Sequence, residues 1–411
     1  MAQINITLNQ EEILQILADD KGEGFRKLLE ASLNEILKAE STEQLGAEPY
    51  ERTENRTDSR NGTRERELTT RIGTITLKVP RHREVPFKTM IFENYSRSEA
   101  ALISTMAEMV VNGVSTRKVA NIMEVLCGTT YSKSAVSEVC RTLDEEVMKF
   151  RNRPLDKKYP FVIVDATYFK VRTEHRVSSR ALMAAPGYTD KGKREIIGFD
   201  VYDNESRRTW TDFMESLKDR GLSGIKMITS DAHEGILAAI SSTFPDVPWQ
   251  RCQFHFTRNI IDSMPAKYQE GIKGELQDMF NSKTIEEARK KRDEIINEYN
   301  DIAEKAMNCL DEGFEEAMTV MYIPEKMRRS FRTSNAVERL NRELKRRSKV
   351  IGIFPNVESV LRLMGAVLME ENDKIQATDY SIFYQPAYEE LCNSESKLKE
   401  TAREQRALLA A

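Results

Sequence analysis

The chain of 411 residues is 40% hydrophobic and 31% charged, which is typical of a globular protein of two or three domains and excludes general disorder. Its 66 acidic residues outnumber the 62 basic ones, so any site for a polyanion must rest on local clusters of cations. No stretch approaches the roughly 20 apolar residues that span a bilayer, and no secretion signal opens the sequence. Five scattered cysteines form no disulfide framework, and these features together predict a cytoplasmic protein without a membrane partner.

The first 42 residues predict an N-terminal helical region. Leu29, Leu33 and Leu37 recur at helical spacing and form an apolar stripe that needs a partner. We expect one or two helices over residues 9–42. The region 1–42 is a candidate for dimerisation, since the stripe can pack on another subunit, and DNA binding is the alternative.

A basic segment with one clear strand follows in residues 43–95. The run from Ile72 to Val79 alternates apolar and polar side chains, as a strand does. Ten basic residues oppose six acidic ones between Glu51 and Lys88. Extended basic segments commonly contact phosphates, although a solvated linker fits equally well. The cations predicted to contact DNA here are Arg60, Arg64, Arg71 and Arg81.

Residues 96–150 predict a DNA-binding domain that resembles a helix-turn-helix. Apolar residues from Val119 to Leu126 share one helical face, and a second such face begins at Val136. The second helix would then expose Lys133 and Arg141 to a DNA groove. A helical hairpin that serves only packing fits the same pattern.

Strand patterns in residues 151–256 predict the first part of a catalytic α/β domain. The strand-like runs are Phe161–Val164, Tyr168–Val171, Ala181–Ala185, Ile196–Val201 and Ile225–Thr229. A helix-like segment from Trp210 to Arg220 lies between the last two runs. This order predicts a ribonuclease-H-like mixed sheet with helices on both faces.

The remainder of the chain is mainly helical in pattern. Ile295 and Tyr299 belong to a helical period, and we expect an all-helical insertion over residues 257–322. The catalytic domain would resume over 323–375, and 376–411 would form a C-terminal helical tail.

Two carboxylates follow strand-like runs. Asp165 comes directly after Phe161–Val164, and Asp231 comes directly after Ile225–Ser230. A charge at the end of a buried run is expected to emerge at the edge of the sheet. Two such ends suggest one site.

Glu338 lies in a helical rather than a strand pattern. Ser334 is a capping residue before a helical period, and within that period Glu338 shares a face with Arg342 and Lys345. Residues 324–350 contain ten basic and three acidic residues. Such a run is ordinarily a solvated helix face, but here it borders a candidate metal site, as a phosphodiester substrate requires. The predicted DNA contacts are Arg339, Arg342, Lys345 and Arg346.

Asp165, Asp231 and Glu338 together offer the oxygen ligands that magnesium prefers. A pair of such ions can activate an attacking oxygen and stabilise the leaving oxygen of a phosphoryl displacement. The spacing alone is equally compatible with unrelated surface acids, since most Asp and Glu residues are simply solvated.

Cys252 and His255 have half of a zinc-ligand spacing. Structural zinc usually needs four protein ligands, and the chain has four histidines in all. Packing or hydrogen bonding near the active site is therefore favoured over a zinc site, and no zinc is expected.

Short motifs follow one another in a fixed order along the chain. They are Arg60-Asn61-Gly62, Thr69-x-x-Ile72-Gly73, Val79-Pro80-Arg81, Val164-Asp165-Ala166, Ser230-Asp231-Ala232-His233, Gln250-Arg251-Cys252-Gln253-Phe254-His255, Arg258-Asn259 and Thr333-Ser334-Asn335-Ala336-Val337-Glu338-Arg339 with Asn341. Each motif is weak alone, but the ordered set is specific. It resembles the mutator-type transposases of bacterial insertion sequences over most of the chain.

The resemblance implies a DDE-type recombinase with a ribonuclease-H-like fold interrupted by an all-helical insertion. It implies that Asp165, Asp231 and Glu338 are the catalytic residues and the ligands of two Mg²⁺ ions, for which Mn²⁺ can substitute. Cys252 and His255 correspond to the family's accompanying motif. The implied partners are terminal inverted repeats and target DNA, bound by a homodimer that brings two ends together. The implied route is replicative and passes through a circular intermediate.

Two alternatives predict different behaviour. A DNA-binding regulator descended from a transposase would use the helical hairpin at residues 115–143 and would not nick DNA in the presence of magnesium. A ribonuclease-H-type nuclease or junction resolvase would prefer hybrid or branched substrates and would not join a 3′ end to target DNA.

Overall fold

The computed structural model describes residues 23–51, 56–70, 73–89, 100–127, 131–141, 143–173 and 176–410. The chain forms a mixed α/β structure that separates into two compact units, with the boundary between residues 142 and 143. Among the described residues, no helix has both the length and the apolar character needed to cross a membrane.

The first unit contains a helix packed against a two-stranded antiparallel hairpin, followed by three further helices. The described elements are α1 (Glu23–Leu45), β1 (Arg60–Thr70), β2 (Gly73–His82), α2 (Ala100–Val111), α3 (Thr116–Cys127) and α4 (Lys133–Cys140). Leu37 of α1 packs in a small core with Leu77 of β2. The alternating burial along β2 confirms the strand predicted for this segment. Arg71, Ile72 and the predicted helical residues 9–22 lie outside the described residues.

Helices α2, α3 and α4 share a second small core. Val119 of α3 and Val136 of α4 are buried in it, as the apolar faces predicted. Ser132 caps α4, since its side chain accepts a hydrogen bond from a backbone N–H in the first turn. The predicted pair of helices is confirmed, while residues 128–130 between them lie outside the described part of the chain.

The second unit is built on a six-stranded mixed sheet. Its strands are β3 (Phe161–Ile163), β4 (Asp165–Thr173), β5 (Arg176–Tyr188), β6 (Arg194–Tyr202), β7 (Met227–Ser230) and β8 (Trp249–Arg251). Strand β5 pairs antiparallel with β6 on one side and with both β3 and β4 on the other. Strand β3 pairs parallel with β7, which pairs parallel with β8. The order across the sheet is therefore β6, β5, β3 with β4, β7 and β8.

Strands β3 and β4 are two parts of one strand, interrupted at Val164. Phe161 pairs with Tyr188 and Asp165 pairs with Ala184 in a single continuous register along β5. The prediction that Asp165 ends its strand at the edge of the sheet is therefore wrong, because the chain stays in the sheet beyond it. Asp231, in contrast, directly follows β7, as predicted.

Neighbouring residues of β3 face opposite cores. Val162 lies in a core with Trp210 and Phe213, whereas Phe161 lies in another core with Phe331. The rings of Phe161 and Phe331 stack with their centroids 3.8 Å apart. This arrangement confirms the prediction of a strand that is buried on both faces.

Helices lie on both sides of this sheet. They are α5 (Leu143–Asn152), α6 (Arg207–Asp219), α7 (Glu234–Thr243), α8 (Gln253–Asp262), α9 (Gln269–Phe280), α10 (Ile285–Ala317), α11 (Glu325–Phe331), α12 (Asn335–Ser348), α13 (Val357–Gln376), α14 (Gln385–Asn393) and α15 (Glu395–Ala410). Helix α5 packs against β6 and α13, and its Asp144 forms an ion pair with Arg362 at 2.6 Å. The predicted domain boundary at residue 150 thus differs from the observed one, because α5 packs with the second unit.

Helices α8, α9 and α10 form a block with its own core. Phe256, Leu276 and Leu310, one from each helix, are buried there. The helical character predicted for residues 257–322 is therefore confirmed.

Two glutamine side chains fasten this block to the sheet. Gln250 of β8 donates a hydrogen bond to the carbonyl of Ala317 at 2.8 Å and accepts one from the backbone N–H of Val320 at 2.6 Å. Gln253 donates to the same Ala317 carbonyl at 2.8 Å. The end of α10 is thus held beside β8, so the chain returns to the sheet at a defined place.

The C-terminal helix α15 contacts the outer edge of β8 through Gln405. The side-chain amide of Gln405 accepts a hydrogen bond from the backbone N–H of Trp249 at 2.9 Å and donates to the Trp249 carbonyl at 2.8 Å. It also donates to the hydroxyl of Thr319 at 3.1 Å. The helical tail predicted after residue 376 is present and packs on the sheet.

Candidate active site

Asp165 lies in the sheet where β3 passes into β4. Its Oδ2 accepts a hydrogen bond from Nδ2 of Asn341 at 2.8 Å, and its Oδ1 accepts one from the backbone N–H of Ala166 at 2.9 Å. Burial raises the pKa of Asp165 to about 6, against the lowering effects of that N–H and of His255, and the carboxylate of Asp231 adds to the rise. The ionised form of Asp165 is therefore poorly solvated and lies close to a second acid.

Asp231 lies at the end of β7, where the chain turns into α7. Its side chain is 45% exposed. The strand behind it is fixed, because the backbone N–H of Cys252 donates to the Ser230 carbonyl at 2.8 Å. The hydroxyl of Thr229 also donates to the Phe331 carbonyl at 2.9 Å. The carboxylate is thus open to solvent on a rigid support.

Glu338 lies in the first turn of α12. Val337, Leu340 and Leu344 are buried on one face of this helix, as predicted. Glu338 is half-buried on another face, where its Oε1 accepts a hydrogen bond from the hydroxyl of Ser334 at 3.1 Å. The helix therefore holds the third acid against the sheet with its carboxylate accessible.

His255, in the first turn of α8, lies among the three acids. Its Nδ1 is 3.9 Å from Oδ1 of Asp231, and one of its ring nitrogens is within 4.8 Å of both a Glu338 carboxylate oxygen and the Cys252 sulfur. The neighbouring Cys252 raises the pKa of His255 to about 9 against the effect of burial, and Asp231 and Asp165 contribute to this rise. Its Nδ1 is buried and makes no hydrogen bond within the described residues.

His255 connects the predicted residues, because it lies 3.9 Å from Asp231, within 4.8 Å of Glu338 and Cys252, and close enough to Asp165 to lower its pKa. Carboxylate oxygens are the ligands that hard divalent cations prefer. The donor atoms of Cys252, His255 and Glu338 lie within 4.8 Å of one another, a set that softer metals such as zinc also accept. The residues present therefore fit a divalent cation.

Helix α12 presents a basic face beside Glu338. Its predicted DNA-contacting residues are all exposed: Arg339, Arg342, Lys345 and Arg346. Arg346 also forms an ion pair with Glu343 at 2.6 Å. Arg347 is buried and pairs with Glu343 and Glu370, so this member of the basic run is structural.

The cations predicted in the first unit fall into two groups. Those on exposed surface are Arg64, Arg81, Lys133 and Arg141. Arg60 is half-buried and donates to the Thr42 hydroxyl and the Ala47 carbonyl, each at 2.9 Å. Arg60 therefore links the end of α1 to the hairpin. The four exposed cations are better placed than Arg60 to contact phosphates. The predicted contact Arg71 lies outside the described residues.

Three further residues lie at the site but were not assigned to it from the sequence. Asn341, which holds Asp165, lies one turn after Glu338, so its helical spacing is the signal that marks it. Ser334 was predicted only as a helix cap. Glu205, which contributes to the raised pKa of Asp165, lies in the loop before α6, where no pattern identifies it.

The chain is similar to known proteins over most of its length. The family described as "Transposase, Mutator family" matches residues 1–378. The chain is 43% identical over 378 residues to the transposase for insertion sequence element IS256 in transposon Tn4001 of Staphylococcus aureus, covering 91% of this chain and 97% of that protein. It is 38% identical over 351 residues to the transposase for insertion sequence element ISRM5 of Rhizobium meliloti (strain 1021), covering 85% and 88%. It is 36% identical over 366 residues to the transposase for insertion sequence element IS1081 of Mycobacterium tuberculosis, covering 88% of each.

The matched region includes all the ordered motifs and every residue of the candidate site. It also spans parts of both units and nearly the full length of the Staphylococcus aureus relative. This chain therefore belongs to the Mutator family of transposases.

Proposed function

We propose that this protein is a DNA transposase that binds the terminal inverted repeats of an insertion sequence and catalyses DNA cleavage and strand transfer. The observation that carries the proposal is the meeting of Asp165, Asp231 and Glu338 around His255. A long helical block separates the last two acids in sequence, so their proximity is a product of the fold. The transposase names of the relatives support this class of reaction.

We assign a ribonuclease-H-like fold to the second unit. The strand order supports the assignment, because three antiparallel strands continue into the parallel strands β7 and β8. The helices α8 to α10 then form an insertion between β8 and the helix that carries Glu338. In this assignment residues 143–252 and 323–376 make up the catalytic domain, and the insertion begins with α8.

The donor set supports a site for divalent metal ions. Burial of Asp165 beside Asp231 raises the pKa of Asp165 to about 6, an effect that a nearby cation opposes. In our proposal Asp165, Asp231 and Glu338 hold two Mg²⁺ ions, and Mn²⁺ is accepted in their place. When bound, such ions activate the attacking oxygen and stabilise the leaving oxygen of an in-line phosphoryl displacement.

The protein's own groups orient the acids and the substrate. The amide of Asn341 donates to Asp165 and fixes the direction of that carboxylate, as partners of metal ligands commonly do. Arg339 and Arg342 are exposed on the helix that carries Glu338. Their charges hold the DNA backbone close to the acids.

The reaction consists of two phosphoryl transfers at this site. Water attacks the phosphodiester at the end of the element, which breaks the bond to the 3′ oxygen and leaves a 3′-hydroxyl and a 5′-phosphate. The 3′-hydroxyl then attacks a second phosphodiester, forming one P–O bond while another breaks. Attack of one end on the other end of the same element gives a circular intermediate, as the replicative route requires.

Two ends of the element must meet, so the acting species is at least a homodimer on double-stranded DNA. The N-terminal region is assigned to dimerisation and to binding of the inverted repeats. Its DNA-contacting cations in this proposal are Arg64, Arg81, Lys133 and Arg141, with α4 as the helix that enters a groove.

The experiment is cleavage and joining of duplexes that carry the element's own ends, in the presence of Mg²⁺. Asp165→Asn and Glu338→Gln should abolish cleavage and strand transfer while binding to the duplex is retained, because the fold and the cations remain. The controls Asp246→Asn and Glu358→Gln alter exposed acids outside the site and should leave both reactions intact.

Full cleavage by either site variant contradicts the proposal. Wild-type protein that binds the ends but never nicks them would be a regulator. Cleavage of hybrid or branched substrates without joining would identify a nuclease or resolvase instead.

A further inference from the structure

Ser334 occupies the N-cap position of α12 but does not cap the helix. An N-cap serine normally has extended backbone angles and accepts a backbone N–H of the first turn. Ser334 has φ −84° and ψ 16° and makes no such bond. Its hydroxyl instead donates to Oε1 of Glu338 at 3.1 Å. The Ser334 hydroxyl, which at this position would ordinarily stabilise the helix end, is therefore directed at the carboxylate of Glu338.

Cys252 lies directly behind Ser334. The cysteine Sγ is 3.2 Å from the serine Oγ and accepts the backbone N–H of Ser334 at 3.3 Å. If the Ser334 hydroxyl gives its single proton to Glu338, the proton between sulfur and oxygen is that of a Cys252 thiol. The result is a chain in which the thiol donates to the hydroxyl and the hydroxyl donates to the carboxylate. Hydrogen bonds linked in one direction strengthen one another.

Both members of this chain are shielded from water. Cys252 is fully buried and Ser334 is 1% exposed. A buried polar group depends on its protein partners, since no solvent replaces a lost hydrogen bond. The geometry of the chain is therefore fixed by the protein and not by the solvent.

The segment before α12 is also tied to the strand that carries Asp231. The Thr229 hydroxyl donates to the Phe331 carbonyl at 2.9 Å, and the backbone N–H of Cys252 donates to the Ser230 carbonyl at 2.8 Å. The end of β7 thus holds both the cysteine and the loop that leads to Glu338. These bonds fix the position of Glu338 relative to Asp231, although the helical block separates the two residues in sequence.

We propose that Cys252 and Ser334 are positioning residues that hold the carboxylate of Glu338 for metal binding, and that this is the role of the cysteine in the Cys-His motif. The inference rests on the proposed function, because it takes Glu338 as a catalytic carboxylate. The competing use of the same atoms is a zinc site made by Cys252, His255 and Glu338. We call the hydrogen-bonded chain from Cys252 through Ser334 to Glu338 the relay. The protonation state of the sulfur distinguishes the two arrangements, since the relay needs a thiol and a zinc site needs a thiolate.

The first test measures cleavage against Mg²⁺ concentration. Ser334→Ala removes the hydroxyl and should lower metal-limited cleavage by about 10- to 100-fold, with half-maximal cleavage shifted to higher Mg²⁺. Ser334→Thr keeps the hydroxyl and should recover most of the activity. The matched control Ser282→Ala changes a buried serine of the helical block and should behave as wild type.

The second test needs no catalysis and follows Mn²⁺ binding to the DNA-free protein by titration calorimetry. Ser334→Ala and Cys252→Ala should each weaken binding by about 10-fold, with Cys252→Ser intermediate. The double variant Cys252→Ala/Ser334→Ala should bind no worse than Ser334→Ala, because both act through one chain of hydrogen bonds. Additive losses would overturn the relay.

The outcomes separate this inference from the proposed function. Cleavage by Glu338→Gln would contradict both the proposed function and this inference. If Glu338→Gln is inactive but Ser334→Ala binds Mn²⁺ and cleaves as the wild type does, the relay is contradicted and the proposed function stands. Stoichiometric zinc in the purified protein, lost in Cys252→Ser, would replace the relay with a zinc site.

Discussion

The two units hold their candidate functional residues in opposite ways. In the first unit, Arg64 and Arg81 lie exposed on the hairpin, so their charges act through the solvent. In the second unit, Asp165 is oriented by Asn341 and Glu338 by Ser334. The affinity for phosphates is the sum of many replaceable charges, whereas chemistry depends on a few side chains held in fixed directions. DNA affinity and DNA cleavage should therefore respond to different substitutions.

Of the three effects that compare the two units, the largest is expected from removing the amide that orients Asp165. Asn341→Ala should lower the rate of single-turnover cleavage by about 10- to 100-fold, because the carboxylate loses the partner that fixes its direction. The affinity for inverted-repeat DNA, measured by mobility shift, should stay at the wild-type value. Asn259→Ala, at an exposed position of α8, is the control. Loss of DNA binding in Asn341→Ala would break the contrast between the units.

A smaller effect is expected for the hairpin, where substitutions should weaken DNA binding and leave cleavage unchanged. The double variant Arg64→Ala/Arg81→Ala should bind the inverted repeats more weakly and reduce the slope of log affinity against log salt by about 2, roughly one unit for each phosphate that is no longer neutralised. Cleavage at saturating DNA should be unchanged. The comparison variant is Lys78→Ala, which removes another cation of the same hairpin. Lys78 lies between the buried Leu77 and Val79. The salt dependence of DNA binding by this variant is compared with that of the double variant. An unchanged salt slope in the double variant would show that these arginines do not meet the backbone.

The smallest effect concerns the local structure of the first unit. Asp58 accepts backbone hydrogen bonds from Val85, Ser59 and Glu84, which lower its pKa from 3.8 to about 2. Because the folded-state pKa is the lower one, this stabilisation is present above pH 3.8 and disappears as the pH falls towards 2. Hydrogen exchange of the Glu84 and Val85 amides in the full chain should therefore accelerate across that window beyond its intrinsic change.

The matched variant for this effect is Asp58→Asn. Its Glu84 and Val85 amides should exchange faster than those of wild type at pH values above the window, and the difference should vanish below it. An equal rate in both proteins throughout would show that the carboxylate does not hold this loop.

The sequence predicted the parts of the site that follow from periodic patterns. Spacing placed Val337, Leu340 and Leu344 on one buried face and left Glu338 on another, and the structure agrees. The interruption at Val164 was not predictable, because a single residue that leaves the pairing does not change the apolar run on either side. The position of Asp165 within the strand was therefore missed.

Other features lacked a pattern long enough to detect. Strand β8 has three residues, too few for a period. The helix α5 has its own amphipathic pattern, but only its packing against β6 and α13 shows which unit it joins. The use of the Ser334 hydroxyl depends on backbone angles, so the sequence supported a helix cap where the structure shows a bond to Glu338.

Gln405 has a consequence for the behaviour of the whole sheet. An open strand edge offers N–H and C=O groups to which another chain can add as a new strand. At Trp249 one side-chain amide satisfies both groups in the way a neighbouring strand would. The helix α15, which carries Gln405, lies beyond residue 378, where the family match ends. At Trp249 the edge of the sheet therefore offers no free backbone group to which another chain could add as a strand.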